Sequence, residues 1–372
     1  MVEKFTVTPW EVKGKVDYDK LIKKFGTEPI TKELLKRIEK HTGKLHFMLR
    51  REIFFSHRDF DWLLEKYEKG DKFHLYTGRG PSGHTHLGHL IPWIFCKYLQ
   101  DEFDIELYFQ MTDDEKFLVK PDLTLEDTIG FTYDNALDVI ALGFNPKKTF
   151  IFSDIEYAKS QYKLAVQIAK HVTFSTAKAV FGFKNSSNIG IIFFPAMQTV
   201  PCFLPSVLKK KNIPCLIPAA IDQDPYWRIA RDIAPKLGFY KPTQIHSKFL
   251  PGLGMGGKMS ASEPNTCIFT TDPPGLASKK IMNAFTGGAR NVEEQRKYGG
   301  KPDICPVYDY YHFLFEEDDK ELKRIYDTCK SGERLCGDCK KILAERVKKF
   351  LIEHQEKRGK ARKNIDEFML RD

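Results

Sequence analysis

Short apolar runs alternate with helical patterns of apolar and polar residues between residue 73 and about residue 268. The strand-like runs cover residues 73–77, 105–111, 149–152, 215–219 and 244–247. Strands that alternate with helices along a chain favour a parallel sheet covered by helices. The pattern therefore predicts an α/β fold over residues 71–268, with a Rossmann-like parallel sheet as its centre.

The pattern changes on both sides of this region. Residues 1–70 form an extension that precedes the sheet, and residues 269–372 are helical and charged. Residues 340–363 contain ten Lys or Arg and three Glu, and their apolar residues recur at helical spacing: Ile342, Leu343, Val347, Phe350 and Leu351. One face of this helix is expected to pack and the other to stay basic. We predict an all-helical C-terminal domain.

An insertion is predicted between the two halves of the sheet, over residues 118–207. It contains an apolar stretch at residues 189–203. That stretch contains enough apolar residues to bury the surface of a partner, but these residues could equally belong to the core of the chain itself. Both interpretations stay open at this point.

Composition narrows the class of protein only slightly. The 372 residues suffice for two domains with substantial cores. The formal charge of +9 suits a polyanionic partner such as RNA and fits many other proteins as well. The apolar runs are far too short to span a bilayer, and the N-terminus lacks a basic and then apolar leader. We expect a cytoplasmic protein without a membrane partner, in which the eight cysteines are reduced or bind metal.

The first motif with chemical meaning follows the first predicted strand. After a turn at residues 78–83, His86-Leu87-Gly88-His89 opens an apolar helix. Free main-chain N–H groups at a helix N-terminus attract anions, and two imidazoles on the first turn can each donate to a phosphate oxygen. The alternative is that the two histidines only cap the helix.

The second motif, Lys258-Met259-Ser260-Ala261-Ser262, follows a glycine-rich stretch at residues 251–257. Such a stretch predicts a mobile loop. A lysine and two serines on this loop could close over the β- and γ-phosphates of a nucleotide as charge builds up in the transition state. On its own the motif could equally be a solvated loop, and only the presence of both motifs in one chain indicates a triphosphate site.

Together the motifs resemble the HIGH and KMSKS elements of class I aminoacyl-tRNA synthetases, in the same order. Four further segments, residues 76–82, 110–116, 194–198 and 219–228, resemble the tryptophanyl-tRNA synthetases of the archaeal and eukaryotic branch. The resemblance runs from about Pro9 to the C-terminus. Ala261 stands where the KMSKS signature has its second lysine, so Lys258 must carry the charge of the loop, with help from Lys116.

The resemblance implies an activity and its partners. The protein would activate L-tryptophan with ATP and Mg²⁺ to tryptophanyl-adenylate, and then transfer the acyl group to tRNA(Trp) with release of AMP. It would act as a homodimer through the insertion, with residues 1–70 packed beside the ATP site and the C-terminal domain on the anticodon.

The resemblance also assigns site residues. The catalytic set is His86, His89, Lys258 and Ser260. The ATP-binding set is Gly78, Gly80, Pro81, Ser82, Gly83, Gly88, Lys116, Met259 and Ser262. Tryptophan would be bound by Tyr76, Gln110, Glu115, Gln198 and Gln223. Because the indole N–H is only a donor, Tyr76 and Gln110 are expected to supply its acceptor, while Glu115, Gln198 and Gln223 hold the ammonium group.

Four cysteines lie close together in the C-terminal region: Cys305, Cys329, Cys336 and Cys339. Four thiolates that include a C-x-x-C pair can bind zinc or anchor a four-iron cluster. Their spacing resembles the cluster pattern of some tryptophanyl-tRNA synthetases. Free thiols in a helical domain are the alternative.

Three rival functions remain open from the sequence. A tyrosyl-tRNA synthetase shares the fold, but residues 220–226 resemble the tryptophan branch. A small-molecule nucleotidyltransferase could use the first motif without RNA, which the long basic helix disfavours. A non-catalytic RNA-binding relative would not need His86, His89 and Lys258, which are all present.

Overall fold

The computed structural model describes residues 6–7, 12–13 and 16–372. Its strands are β1 (Thr6–Val7), β2 (Val12–Lys13), β3 (Glu28–Pro29), β4 (Phe54–Arg58), β5 (His74–Arg79), β6 (Glu106–Met111), β7 (Thr149–Ser153), β8 (Cys215–Ala220) and β9 (Thr243–Ser247).

Helices cover most of the rest of the described chain. They are α1 (Tyr18–Phe25), α2 (Lys32–Thr42), α3 (Phe47–Arg50), α4 (Phe60–Glu68), α5 (Leu87–Phe103), α6 (Asp113–Val119), α7 (Leu125–Ala141), α8 (Ala158–Ala169), α9 (Phe174–Phe181), α10 (Ile189–Thr199), α11 (Leu204–Leu208), α12 (Asp224–Ile233), α13 (Pro274–Met282), α14 (Val292–Tyr298), α15 (Pro306–Tyr310), α16 (Asp319–Lys330) and α17 (Cys336–Ala361). Within the described residues, none is long and apolar enough to cross a membrane.

Seven of the strands form one sheet in the order β3-β4-β9-β8-β5-β6-β7. The five strands from β9 to β7 are mutually parallel. All five are strands that the hydrophobic pattern predicts, with ends that differ by one or two residues. The predicted α/β fold with its parallel sheet is confirmed.

The strand order reverses in the middle of this sheet. From β5 the chain moves outward through β6 to β7, and it then returns to the other side of β5 for β8 and β9. The carboxyl ends of β5 and β8 thus flank the point where the order switches, which is where open α/β sheets bind ligands. The first motif follows β5 and the second follows β9, so both lie at this edge.

Two antiparallel strands extend the sheet on the β9 side. β4 pairs with β9, and the short β3 pairs with β4. Both come from the segment that the sequence sets apart as an N-terminal extension, and their short irregular pattern gave no strand signal. Residues 1–5, 8–11 and 14–15 of that extension lie outside the described residues.

On the opposite side, β7 forms the edge of the parallel strands, although it lies within the predicted insertion. The main chain of Ile151 in β7 exchanges hydrogen bonds with Phe368 and Leu370. The last residues of the chain therefore cover an edge that would otherwise leave hydrogen-bonding groups unpaired.

The helical region from α13 to α17 packs against the sheet domain through a continuous apolar core. On α17, Leu343, Val347 and Leu351 are buried as the periodicity predicts, whereas Ile342 is exposed. Two polar residues, His354 and Arg358, continue the buried face. The helix docks on α13 and α7. Its inner face is partly ionic because His354 and Arg358 belong to it.

Candidate active site at the switch point of the sheet

The backbone at the end of β5 is suited to a close approach of neighbouring groups. A Cβ on Gly78 would lie 2.7 Å from the main-chain oxygen of Gln110 in β6, so only glycine fits there without a shift of the strands. A Cβ on Gly80 would occupy the position of the Lys116 side chain. Pro81, Ser82 and Gly83 complete the turn, and the Asn135 amide donates to the oxygen of Gly83 at 3.0 Å.

His86 and His89 stand at the start of α5. Their rings stack with centroids 3.5 Å apart, and the main-chain N–H of His86 donates to Nδ1 of His89 at 3.1 Å. That acceptor role leaves the ring proton of neutral His89 on Nε2, which can then donate to a ligand. The histidines thus cap the helix and also carry free donors, so the two interpretations from the sequence are compatible.

Burial lowers the pKa of His86 to about 3, and the charges of Arg79 and Lys258 act in the same direction. The pKa of His89 is also lowered well below its ordinary value, first by burial and then by Arg79. Both rings are therefore neutral at physiological pH. Their contribution to a phosphate site is hydrogen bonding, and the positive charge must come from other residues.

Arg79, which belongs to neither sequence motif, can supply part of that charge. It is the last residue of β5, and its Nε donates to Asn135 at 3.2 Å. Burial lowers the pKa of Arg79 to about 10, which still leaves it protonated. Lys116 adds a second cation, paired with Glu115 at 2.8 Å.

The second motif lies against the first. A Cβ on Gly88 would be 3.1 Å from two atoms of the His86 ring and 3.7 Å from Cβ of Met259. Met259 is buried, and its N–H donates to the oxygen of Leu250 at 2.9 Å. The hydroxyls of Ser260 and Ser262 are 2.8 Å apart and exposed. The structure therefore brings together the two motifs that are 169 positions apart.

Lys258 has a partner that sequence reasoning missed. Its Nζ lies 2.9 Å from Oδ2 of Asp222, which is buried just after β8, and it lies 5.4 Å from the centre of the Phe249 ring. Because Asp222 comes from a different strand, no local spacing indicates this pair. The sequence marks Asp222 only as a residue that follows the end of a strand of the parallel sheet.

Three of the residues predicted to bind tryptophan form one polar cluster. The Tyr76 hydroxyl donates toward Oε1 of Gln110 at 2.6 Å and toward the main-chain oxygen of Gln198 at 2.9 Å. It accepts from Nε2 of Gln198 at 2.6 Å. Tyr76 and Gln110 are completely buried, and the Trp227 ring stands edge-on to Tyr76 at 6.2 Å.

The other two predicted residues lie at neighbouring positions of the same edge. Glu115 is on α6, directly after β6, and accepts from the Thr112 hydroxyl at 3.0 Å. Gln223 ends the short 3₁₀ turn Ile221–Gln223 after β8. Glu115 is buried and Gln223 is partly exposed. Their positions are compatible with the ammonium end of a ligand whose ring lies near Tyr76.

The four cysteines of the C-terminal region line a common cavity together with Pro302, Tyr308, Ile325 and Leu335. Burial raises the pKa of Cys339 to about 12, with the other three thiols contributing. A Cβ on Gly288 would lie 2.5 Å from Sγ of Cys336, and one on Gly300 would lie 2.8 Å from Sγ of Cys329. In the described part of the chain, no three His, Cys, Asp or Glu residues are arranged to hold a single metal ion.

Comparison with known proteins identifies the family. The family described as tRNA synthetases class I (W and Y) matches residues 68–352. A tryptophan–tRNA ligase from Pyrobaculum arsenaticum is 53% identical over 370 residues, covering 100% of this chain and 99% of its own. One from Thermococcus sibiricus is 56% identical over 367 residues, covering 98% and 94%.

A solved structure has the same fold. The tryptophanyl-tRNA synthetase from Encephalitozoon cuniculi, bound to tryptophan, superposes with a TM-score of 0.88 at 40% identity, covering 96% of this chain and 98% of that one. With both motifs placed at the switch point of the sheet, the chain belongs to the class I tRNA synthetases and, within them, to the tryptophan–tRNA ligases.

Proposed function

We propose that this protein activates L-tryptophan with ATP to tryptophanyl-adenylate and transfers the acyl group to tRNA(Trp), with release of AMP and diphosphate. The observation that carries the proposal is the buried Tyr76–Gln110 pair beside the two phosphate-binding motifs. None of the eight cysteines, all within the described residues, forms a disulfide, and we place the reaction in the reducing cytoplasm.

The first step needs positioning and charge rather than a protein nucleophile. The tryptophan carboxylate oxygen forms a bond to the α-phosphorus while the bond from that phosphorus to the bridging oxygen breaks, and diphosphate leaves. Mg²⁺, when bound with the nucleotide, would offset part of the phosphate charge. His86 and His89 would hold the triphosphate as neutral donors, and Gly78 to Gly83 and Gly88 leave room for the nucleotide. Arg79, Lys116 and Lys258 would stabilise the charge that builds up on the leaving group.

Lys258 must exchange partners in order to act. In the structure its Nζ pairs with Oδ2 of Asp222 at 2.9 Å, just after β8. A triphosphate carries more charge than one carboxylate, so it can draw Lys258 away with Met259, Ser260 and Ser262. The loop would then follow the diphosphate through the transition state.

Selection of tryptophan would depend on hydrogen bonding at the end of a buried slot. The Tyr76 hydroxyl has two acceptors within reach, so it can donate to Gln198 and leave Oε1 of Gln110 for the indole N–H. A ligand without a donor would leave that oxygen unpaired, which costs about 1–3 kcal/mol. Glu115, Gln198 and Gln223 would accept from the substrate ammonium.

In the second step a ribose hydroxyl at the tRNA 3′ end attacks the acyl carbonyl carbon, and AMP leaves. We propose that residues 269–372 contact the anticodon arm and that residues 1–70 pack beside the ATP site. The exposed basic residues of α17 and of the turn that follows it suit a phosphate backbone; they are Lys341, Lys348, Lys349, Lys357 and Lys360 on the helix, and Arg362 and Lys363 after it.

A charging assay tests the complete reaction. The purified protein with Mg²⁺ and ATP should attach radiolabelled tryptophan to a tRNA(Trp) transcript and leave a tRNA(Tyr) transcript uncharged. Charging of both transcripts, or adenylate formation without any charging, would contradict the proposal.

We further propose that Cys305, Cys329, Cys336 and Cys339 hold an iron–sulfur cluster. Their common cavity and the two glycines packed on the sulfurs support a cluster. Protein purified without oxygen should contain about four iron and four sulfide per chain. Cys336→Ser should lose most of this iron, and the buried Cys96→Ser, far from the cavity in sequence, should keep it. Stoichiometric zinc or no metal would refute the proposal.

The protein is proposed to be a homodimer. Helices α8 to α10 present an apolar groove formed by Val172, Phe174, Ile189, Ile192 and Phe193. Ile189 is 85% exposed although the same stretch buries Phe194. Exposed apolar patches of this kind mark association sites, and the predicted insertion supplies both core and contact surface.

If the groove is the dimer contact, the mass of the protein in solution should show it. Light scattering should give twice the chain mass of 43.1 kDa, and Ile189→Glu should give the single-chain mass because it places a charge in the contact. Val292→Glu, at an exposed position on α14, serves as the control and should leave the dimer intact. A wild-type monomer, or a dimer in Ile189→Glu, would contradict the assignment.

A further inference from the structure

An amide side chain can present either its oxygen or its NH₂ group to a ligand, and only the oxygen suits an indole N–H. Selection through Gln110 therefore requires something that fixes the orientation of its amide. The groups around Nε2, the end of the Gln110 side chain that faces away from Tyr76, can provide this.

The surroundings of Nε2 consist of acceptors. Both carboxyl oxygens of Asp154 lie 2.9 Å from Nε2 of Gln110, and the main-chain oxygen of Met197 lies at 3.4 Å. A flipped amide would place Oε1 against these three oxygens and lose every hydrogen bond on that side. The orientation with Oε1 toward Tyr76 is thus imposed by chemistry, because an unmade hydrogen bond in a buried site is costly.

Asp154 is itself held in place. It follows β7, its N–H donates to the oxygen of Met111 at 3.0 Å, and its side chain is buried. Burial raises the pKa of Asp154 well above its ordinary range, and the Asp114 and Asp113 carboxylates add to the rise. A side-chain hydrogen bond joins Asp154 to Asp114, so a proton shared by the two carboxyl groups lies on that side and leaves oxygen lone pairs of Asp154 toward Gln110.

We propose that Asp154 is a positioning residue for amino-acid selection: it locks the Gln110 amide so that an acceptor, and not a donor, faces the indole nitrogen. The residue does not touch the substrate and acts only through Gln110. This inference rests on the proposed role of Gln110 toward tryptophan.

Two substitutions distinguish loss of the hydrogen-bond acceptor for Gln110 from loss of the carboxyl group as such. Asp154→Asn keeps an oxygen for Gln110 and can turn its NH₂ toward Asp114, whereas Asp154→Ala removes the acceptor. ATP–diphosphate exchange is measured with L-tryptophan and with 3-(3-benzothienyl)-L-alanine, in which sulfur replaces the ring N–H. The readout is the ratio of kcat/KM for the two amino acids.

In Asp154→Ala the ratio should fall about tenfold or more, since the amide is free to turn its donor toward the ring. The loss should appear as a raised KM for tryptophan with kcat nearly kept, and Asp154→Asn should stay within about threefold of the wild-type ratio. If Asp154→Ala does not fold, Asp154→Thr replaces it, because its hydroxyl can donate to Gln110 as well as accept.

Two results would overturn the proposal. One is an equal loss with both amino acids, which a purely structural role would produce. The other is the same fall in ratio for Asp154→Asn, which would assign the effect to the carboxyl group itself. Failure of the proposed function is distinguishable, because the wild-type protein would then show no exchange driven by tryptophan.

Discussion

Lys258→Ala should lower the rate of tryptophan-dependent ATP–diphosphate exchange by about 10²–10³-fold, the usual effect of removing one group that stabilises transition-state charge. The signature motif carries two lysines, but position 261 is alanine here, so no second lysine of this loop can compensate. The two histidines are neutral because burial lowers the pKa of His86 to about 3 and that of His89 well below its ordinary value. Loss of Lys258 therefore removes much of the cationic charge near the leaving group.

The control for this prediction is Lys320→Ala, which changes an exposed lysine on α16 and should leave exchange unchanged. Binding of tryptophan alone, followed by fluorescence, should be nearly normal in Lys258→Ala, because the indole contacts proposed for Tyr76 and Gln110 do not involve Lys258. If the exchange rate of Lys258→Ala falls by less than about threefold, Lys258 does not supply the charge that stabilises the leaving group.

Arg358→Met should lower the free energy of unfolding by about 3–5 kcal/mol, the typical cost of breaking a buried ion pair on one side. Arg358 on α17 pairs with Asp138 on α7 and with Asp134 at 2.6 Å. Asp138 is completely buried and also lies 2.8 Å from Nε2 of His354. Without Arg358, that carboxylate would lose its main compensating charge in the interior.

Urea unfolding of Arg358→Met measures this effect. The matched control is Arg324→Met, since the Arg324–Glu321 pair is exposed and should contribute less than about 1 kcal/mol. The double variant with Asp138→Leu should recover part of the loss, because both charges are then gone. A loss below about 1 kcal/mol in Arg358→Met would contradict a structural role for the pair.

The same network predicts an acid dependence. Burial alone would raise the pKa of Asp138, but the hydrogen bond from His354 and the charge of Arg358 outweigh it and leave the pKa below its ordinary value. A carboxyl group whose pKa is depressed by folding stabilises the fold above its unfolded pKa. That contribution is lost as the pH falls through the folded value.

The sequence predicts the frame of the site well because the relevant information is local. The five parallel strands have short apolar patterns, and each motif follows the end of a strand. Once the strands are parallel, Tyr76 on β5 and Gln110 on β6 lie two register positions apart on the same face of the sheet, and the Tyr76 hydroxyl lies 2.6 Å from Oε1 of Gln110. The comparisons confirm the family and favour tryptophan over tyrosine.

The residues that complete the site could not be predicted in this way. Asp222 and Asp154 follow different strands, and their partners lie on elements far away in the sequence. Arg358 sits on a face that periodicity assigns to apolar residues, while Ile342 of the same pattern is exposed. Such positions are determined by charge pairing across the fold, for which a single sequence contains no periodic signal.

The site at the switch point of the sheet is proposed to activate tryptophan. The most direct measurement is ATP–diphosphate exchange by the purified protein with Mg²⁺, run in parallel with L-tryptophan and L-tyrosine. The proposed arrangement of Tyr76 and Gln110 predicts exchange with tryptophan alone. Exchange driven by tyrosine, or no exchange with either amino acid, would contradict it.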